Sequence, residues 1–242
     1  MNKIAKVISI VGHPLLFLPI LIGLTLISLE GIRTSIQSLG ILAGLSIIPT
    51  TIWVFIKTKN GSYTNFDVSN QRQRRTLFPF IIILLTLTTF VLYITNMPEY
   101  LCLGLLICTG LILISFFVNF KIKSSLHVSM TAYAALCISF ISISLSIGLF
   151  LFTISIAWSR VVLKRHSVLE VCTGLLLGSI AGFIFINMYQ AENPQGKLSN
   201  SAITSCTFIE TISTSAPVFK VFPKESFIDE PVNISVSRLA SF

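Results

Sequence analysis

The sequence predicts an all-α polytopic membrane protein, a helical bundle of about six to seven transmembrane helices with a polar tail. Three observations lead there. Hydrophobic residues make up 53% of the 242 and charged residues only 11%, where a soluble domain carries about a quarter. Mean hydropathy is +0.87. The apolar residues also run in blocks of about twenty, the length at which one helix crosses about 30 Å of hydrocarbon. Backbone groups in lipid must be paired within their own segment, which selects helices, and the alternating pattern of a membrane barrel is absent.

The first block, 7–29, follows Lys3 and Lys6 as a signal peptide would, but no small-residue cleavage pattern ends it and further blocks follow. It reads as a retained helix. With the second block, 38–56, it forms an N-terminal pair over residues 1–56. A core over 57–190 follows, with blocks at 77–96, 100–119, 127–143, 145–159 and 167–189. A single helix over 128–158 would exceed the usual span, so a hairpin turning near Ser142–Ser146 is expected. After Gln190 the composition turns to Ser, Thr, Asn, Pro and scattered charge, and 191–242 reads as a disordered polar tail. No internal repeat is visible. The five cysteines form no CxxC pair, and the four in apolar segments (Cys102, Cys108, Cys137 and Cys172) read as small apolar fillers.

With seven spans the N-terminus and the loops at 57–76, 120–126 and 160–166 share one face. That face holds Lys3, Lys6, Lys57, Lys59, Arg72, Arg74, Arg75, Lys121, Lys123, Arg160, Lys164 and Arg165, twelve of the seventeen basic residues. Such a bias marks the cytoplasmic side, although a basic active site would contribute to it. Charges confined to loops between spans set topology or hold anionic headgroups, so the net charge of +8 points to membrane lipids as partners and not to nucleic acid.

The last basic loop carries the most chemistry. It reads Ser159-Arg160, five residues, His166, three residues, Glu170-Val171, two residues, Gly174. A histidine and a carboxylate four apart share one helical face, where the carboxylate holds one imidazole nitrogen and leaves the other as nucleophile or base. Arg160 offers a planar fork for phosphate. A plain alternative makes Glu170 a helix-start carboxylate beside the N-terminal dipole.

The spacing S-R-x5-H-x3-E resembles the third signature of the type 2 phosphatidic acid phosphatase superfamily, with Glu170 where that family usually has aspartate. Its second signature, P-S-G-H, is similar to Ser124-Ser125-Leu126-His127, with Pro and Gly replaced. Its first signature, K-x6-R-P, is missing. The loop instead reads Asp67-Val-Ser-Asn70-Gln71-Arg72-Gln73-Arg74-Arg75 and resembles a bacterial variant, D-x3-R-x2-R, with Gln71 in the place of the first arginine.

The resemblance, which covers roughly 57–190, implies a metal-independent phosphatase acting on a lipid phosphate or diphosphate in a bacterial inner membrane. In it His166 is the nucleophile, Glu170 orients it, and His127 protonates the leaving oxygen. Arg160, Arg74, Arg72 or Arg75, and Ser125 hold the phosphoryl oxygens. No metal or cofactor is expected, because no carboxylate cluster suits Mg²⁺. The first two spans are expected to be peripheral, and His13, before Pro14, to serve packing outside the site. Two other classes are a weakened relative that binds anionic headgroups and, with almost no ionisable residue at mid-bilayer to support it, a small transporter.

Overall fold

The structure is a computed structural model that describes residues 2–68 and 70–192. Among the described residues it is all helix and connecting loop: α1 (Asn2–Val11), α2 (Pro14–Glu30), α3 (Ile32–Lys59), α4 (Gln71–Ile94), α5 (Glu99–Val118), α6 (Leu126–Cys137, extended by a 3₁₀ turn over Ile138–Phe140), α7 (Ile143–Val162) and α8 (Val168–Glu192). Of the predicted tail, residues 191 and 192 belong to α8 and the remainder lies outside the described residues.

Five of these helices, α3, α4, α5, α7 and α8, are long and apolar enough to cross a membrane, and the α1–α2 pair makes a sixth if its two halves are one span. The outer surface carries Ile83, Phe90, Leu106, Ile147, Leu176 and Phe183, while Ser38, Thr88, Ser115, Thr131 and Thr153 are buried. Apolar side chains outside and small hydroxyls inside suit a bundle whose solvent is lipid. The chain is a multi-pass helical membrane bundle.

Several elements depart from the expected spans for identifiable reasons. The first block is two helices bent by 51°. Pro14 has no N–H to give, and the residue before a proline avoids the helical region; His13 is accordingly extended, at φ −69 and ψ 126. The second block is one helix from Ile32 to Lys59 with a π turn at Ala43–Ile47; the turn includes Leu45, four residues before Pro49, and in a regular turn the proline ring would strain against the Leu45 carbonyl. The third helix starts at Gln71, not 77, because the Asn70 side chain accepts from the Arg72 N–H at 2.9 Å and caps it. Arg72, Arg74 and Arg75 therefore sit on a helix rather than in a loop. The expected hairpin turn falls at Ile141–Ser142, with Ser142 capping α7.

The short helix α6 is the centre of the bundle, buried at every position from His127 to Ala135. It lies directly against α8, where Gly174, Gly178 and Gly182 recur every four residues. A Cβ on Gly178 would stand at 2.2 Å from the Ser129 carbonyl oxygen, and one on Gly174 at 2.6 Å from that of Ser125. Only glycine permits this backbone approach, the small-residue packing that dominates between helices in lipid. It also draws the start of α8 onto the start of α6, where the Ser125 N–H donates to the Glu170 carbonyl at 3.1 Å.

Candidate active site

Four chain segments meet at the basic end of the bundle: the α1–α2 break, the α3–α4 loop, the start of α6, and the α7–α8 turn. Each has a local cause. The α7–α8 turn closes as a Schellman motif, with the Arg165 N–H on the Arg160 carbonyl at 3.1 Å and the Lys164 N–H on the Val161 carbonyl at 2.9 Å. Lys164 takes the left-handed position at φ 53. The His166 N–H reaches the same Arg160 carbonyl at 3.3 Å, so the five-residue gap between Arg160 and His166 is the length of this turn.

At the start of α8, Ser167 and Glu170 form a reciprocal capping box, each side chain accepting from the other's N–H at 3.3 Å. The plain role for Glu170 is thus real, and a second role accompanies it. Its Oε2 lies 2.8 Å from His166 Nδ1, and Lys123 Nζ stands 3.6 Å away. With Nδ1 donating to the carboxylate, His166 Nε2 keeps its lone pair and accepts from Arg74 Nη2 at 3.4 Å. Burial, reinforced by Arg74, Arg160 and Lys123, pushes the His166 imidazole down to about 3. The ring is neutral at physiological pH, the state a nitrogen nucleophile needs.

Arg74 is buried and fixed by two carbonyls, Val68 at 2.9 Å through Nε and Ser124 at 2.7 Å through Nη1. Helical geometry separates it from its neighbours. Arg72 and Arg75 are exposed, and Arg75 stacks on Phe120 with its guanidinium carbon 4.9 Å from the ring centre. Of the three arginines only Arg74 enters the cluster; Arg72 and Arg75 project from the other sides of α4 and hold nothing there.

The residue that organises the site is Asp67. Val68 beside it is buried in the left-handed region at φ 43, a strained state for a β-branched residue. It is held there by packing with Val54, Tyr63 and Leu77 and by the Arg74 bond to its carbonyl. The result turns Asp67 inward. Its Oδ2 accepts from Arg160 Nη2 at 2.5 Å and Arg165 Nη1 at 2.6 Å, and its Oδ1 lies 3.1 Å from His127 Nε2 without hydrogen-bond alignment. Burial raises the Asp67 carboxyl, but the charge and hydrogen bond of Arg160 and the charge of Arg165 outweigh it and hold it well below the usual carboxylate range.

The first helices are not peripheral. Ser9 accepts from Arg160 Nη1 at 2.9 Å, and the break at His13 turns its ring edge-on to His127, with centroids 4.9 Å apart. The cluster therefore includes His13, which the sequence left outside, because the depth of a histidine at a helix break is not written in hydropathy. Ser125 contributes its backbone to Glu170, while its buried Oγ, that of Ser124 and Arg160 Nε have no hydrogen-bond partner among the described residues.

His13, Asp67 and His127 present ligand atoms within 4.8 Å of one another, a spacing open to a metal ion. Arg160 and Arg165 on the same carboxylate, with Arg74 nearby, make the electrostatics those of an anion site instead. Compared with protein-family models, curated proteins and solved structures, the chain finds no match.

Proposed function

We propose that this protein is a membrane-embedded phosphatase that hydrolyses a lipid phosphate or diphosphate without metal, through a phosphohistidine on His166. The observation that carries the reading is the pairing of His166 Nδ1 with Glu170 at 2.8 Å while Nε2, neutral, faces the guanidinium of Arg74. His166 Nε2 attacks phosphorus, and the bond from phosphorus to the lipid oxygen breaks. His127, which takes up a proton together with the incoming phosphate anion, gives that proton to the oxygen. Water then attacks the phosphohistidine, returning a proton to His127 and releasing inorganic phosphate and free His166. Arg160, Arg165 and Arg74 neutralise the phosphoryl oxygens, the term that dominates phosphoryl transfer. The incoming phosphate replaces the Asp67 carboxylate on Arg160 and Arg165.

The purified protein is expected to release phosphate from at least one member of a panel of lipid phosphates in excess chelator. The panel holds phosphatidic acid, phosphatidylglycerol phosphate, a polyprenyl diphosphate and a lipid A phosphate. No release from any of them refutes the reading. The basic bias of the site's face supports a cytoplasmic orientation, in the bacterial inner membrane that the resemblance implies. The same assay on sealed vesicles should then succeed with inside-out and fail with right-side-out preparations; the reverse pattern places the site outside.

One observation favours a second reading, a weakened relative that binds anionic headgroups. Arg74 closes on His166 Nε2, and Asp67 holds Arg160. That reading predicts headgroup binding with no turnover, unchanged in His166→Ala.

A further inference from the structure

Two cavities meet at the site and share His13, Leu15, Phe66, Asp67 and His127. The first, of about 510 Å³, is a vestibule at the basic face whose lining includes Lys6 and Arg165. The second, of about 260 Å³, runs into the bundle between α2, α3, α4, α5 and α6. Arg74 and Asp67 stand at its mouth, and among the described residues no other Asp, Glu, Lys or Arg lines it.

Its depth can be read along α6, where the lining runs from His127 to Phe140. At 1.5 Å per residue that is roughly 20 Å, more than the ~15 Å of one leaflet's hydrocarbon. Leu26 on α2 and Leu85 on α4 lie at similar distances from the mouth along their own helices. Spread over such a depth, the volume excludes two hydrocarbon chains side by side and admits one at most.

We infer that the bundle houses one linear hydrocarbon chain of its lipid anion inside this cavity, so that the chain is selected by the protein and not left in the bilayer. The substrate class is a phosphate or diphosphate with a single chain, or with one chain separable from the rest. The charge pattern fixes the direction, since the cationic mouth takes the phosphate and the uncharged walls take the tail. The inference rests on the phosphate-site reading for the mouth only; the chain's seat is set by the cavity.

The test uses the full-length protein and n-alkyl phosphonates of rising chain length, kept below their micelle concentrations, with binding measured by calorimetry. Each added methylene that enters the cavity should tighten binding about four-fold. Ala134→Phe obstructs the cavity about 10 Å past His127, and Cys137→Phe about 15 Å past it. The gain per methylene should stop at a short chain in Ala134→Phe, at a longer one in Cys137→Phe, and later still in the wild type. Binding of the shortest phosphonate should be equal in all three, which reports an intact fold.

A flat series in the wild type overturns the inference, as does a wild-type break point that neither variant shifts. Turnover of the matching alkyl phosphates, measured in parallel, separates the two ideas. Turnover indifferent to chain length removes the internal seat alone. Chain-dependent binding with no turnover of any phosphate supports the seat and removes the phosphatase.

Discussion

Replacing His166 by alanine is expected to lower phosphate release on the order of ten-thousand-fold or more, with the protein still folded and still able to bind a lipid phosphate. The size follows from the role. When a group forms the covalent intermediate, its loss leaves only what binding and charge stabilisation supply. Binding survives because the phosphate is held by others: Arg74 keeps its two carbonyl contacts and Arg160 its bond to Ser9. His166 is nearly fully buried and its ring touches Glu170 and Arg74, so truncation removes a nitrogen from a fixed frame. Release rates and equilibrium binding measured side by side decide it. A variant within ten-fold of wild type excludes His166 as the nucleophile.

The second large effect is structural. Gly178→Ala is expected to cost about 3 kcal/mol or more, read as a marked fall in melting temperature in detergent or loss of monodisperse protein. The new methyl would sit 2.2 Å from the Ser129 carbonyl oxygen and 2.9 Å from its carbon. Both are backbone atoms of the buried helix α6, which no side-chain rotation can move aside, so α8 must separate from α6. Gly110→Ala supplies the contrast. Nothing lies within 4 Å of that position, and a helical Gly→Ala exchange without a clash is neutral or stabilises by up to about 1 kcal/mol. Equal behaviour of the two variants would mean that α6 and α8 are not held at backbone contact.

The helices and the basic end of the bundle were legible because hydropathy and charge placement are properties of the sequence itself. So was the distance between Arg160 and His166, which the Schellman turn needs. Three things were not. Helix phase hid which arginine enters the site: Arg72, Arg74 and Arg75 are equivalent in composition, and only the inward face shared with Leu77 and Phe78 selects Arg74. The break at His13–Pro14 reads as a kink, and only packing shows that it delivers a ring to His127. Asp67 left a weak signal, as the lone carboxylate in the 57–76 loop. Its value as the partner of Arg160 and Arg165 depends on a strained turn at Val68 that no local pattern announces. The fourfold glycine spacing in α8 was in plain view, but its meaning needs the partner helix.

Covalent chemistry at His166 is what the proposed activity depends on. The direct measurement is to mix the purified protein with a ³²P-labelled lipid phosphate it turns over, quench in alkali, where phosphohistidine survives and phosphoserine is lost, and map the label. Label is expected on the peptide carrying His166, absent from His166→Asn and chased by unlabelled substrate at the rate of turnover. Label on another residue, or full turnover with no labelled enzyme, would contradict it.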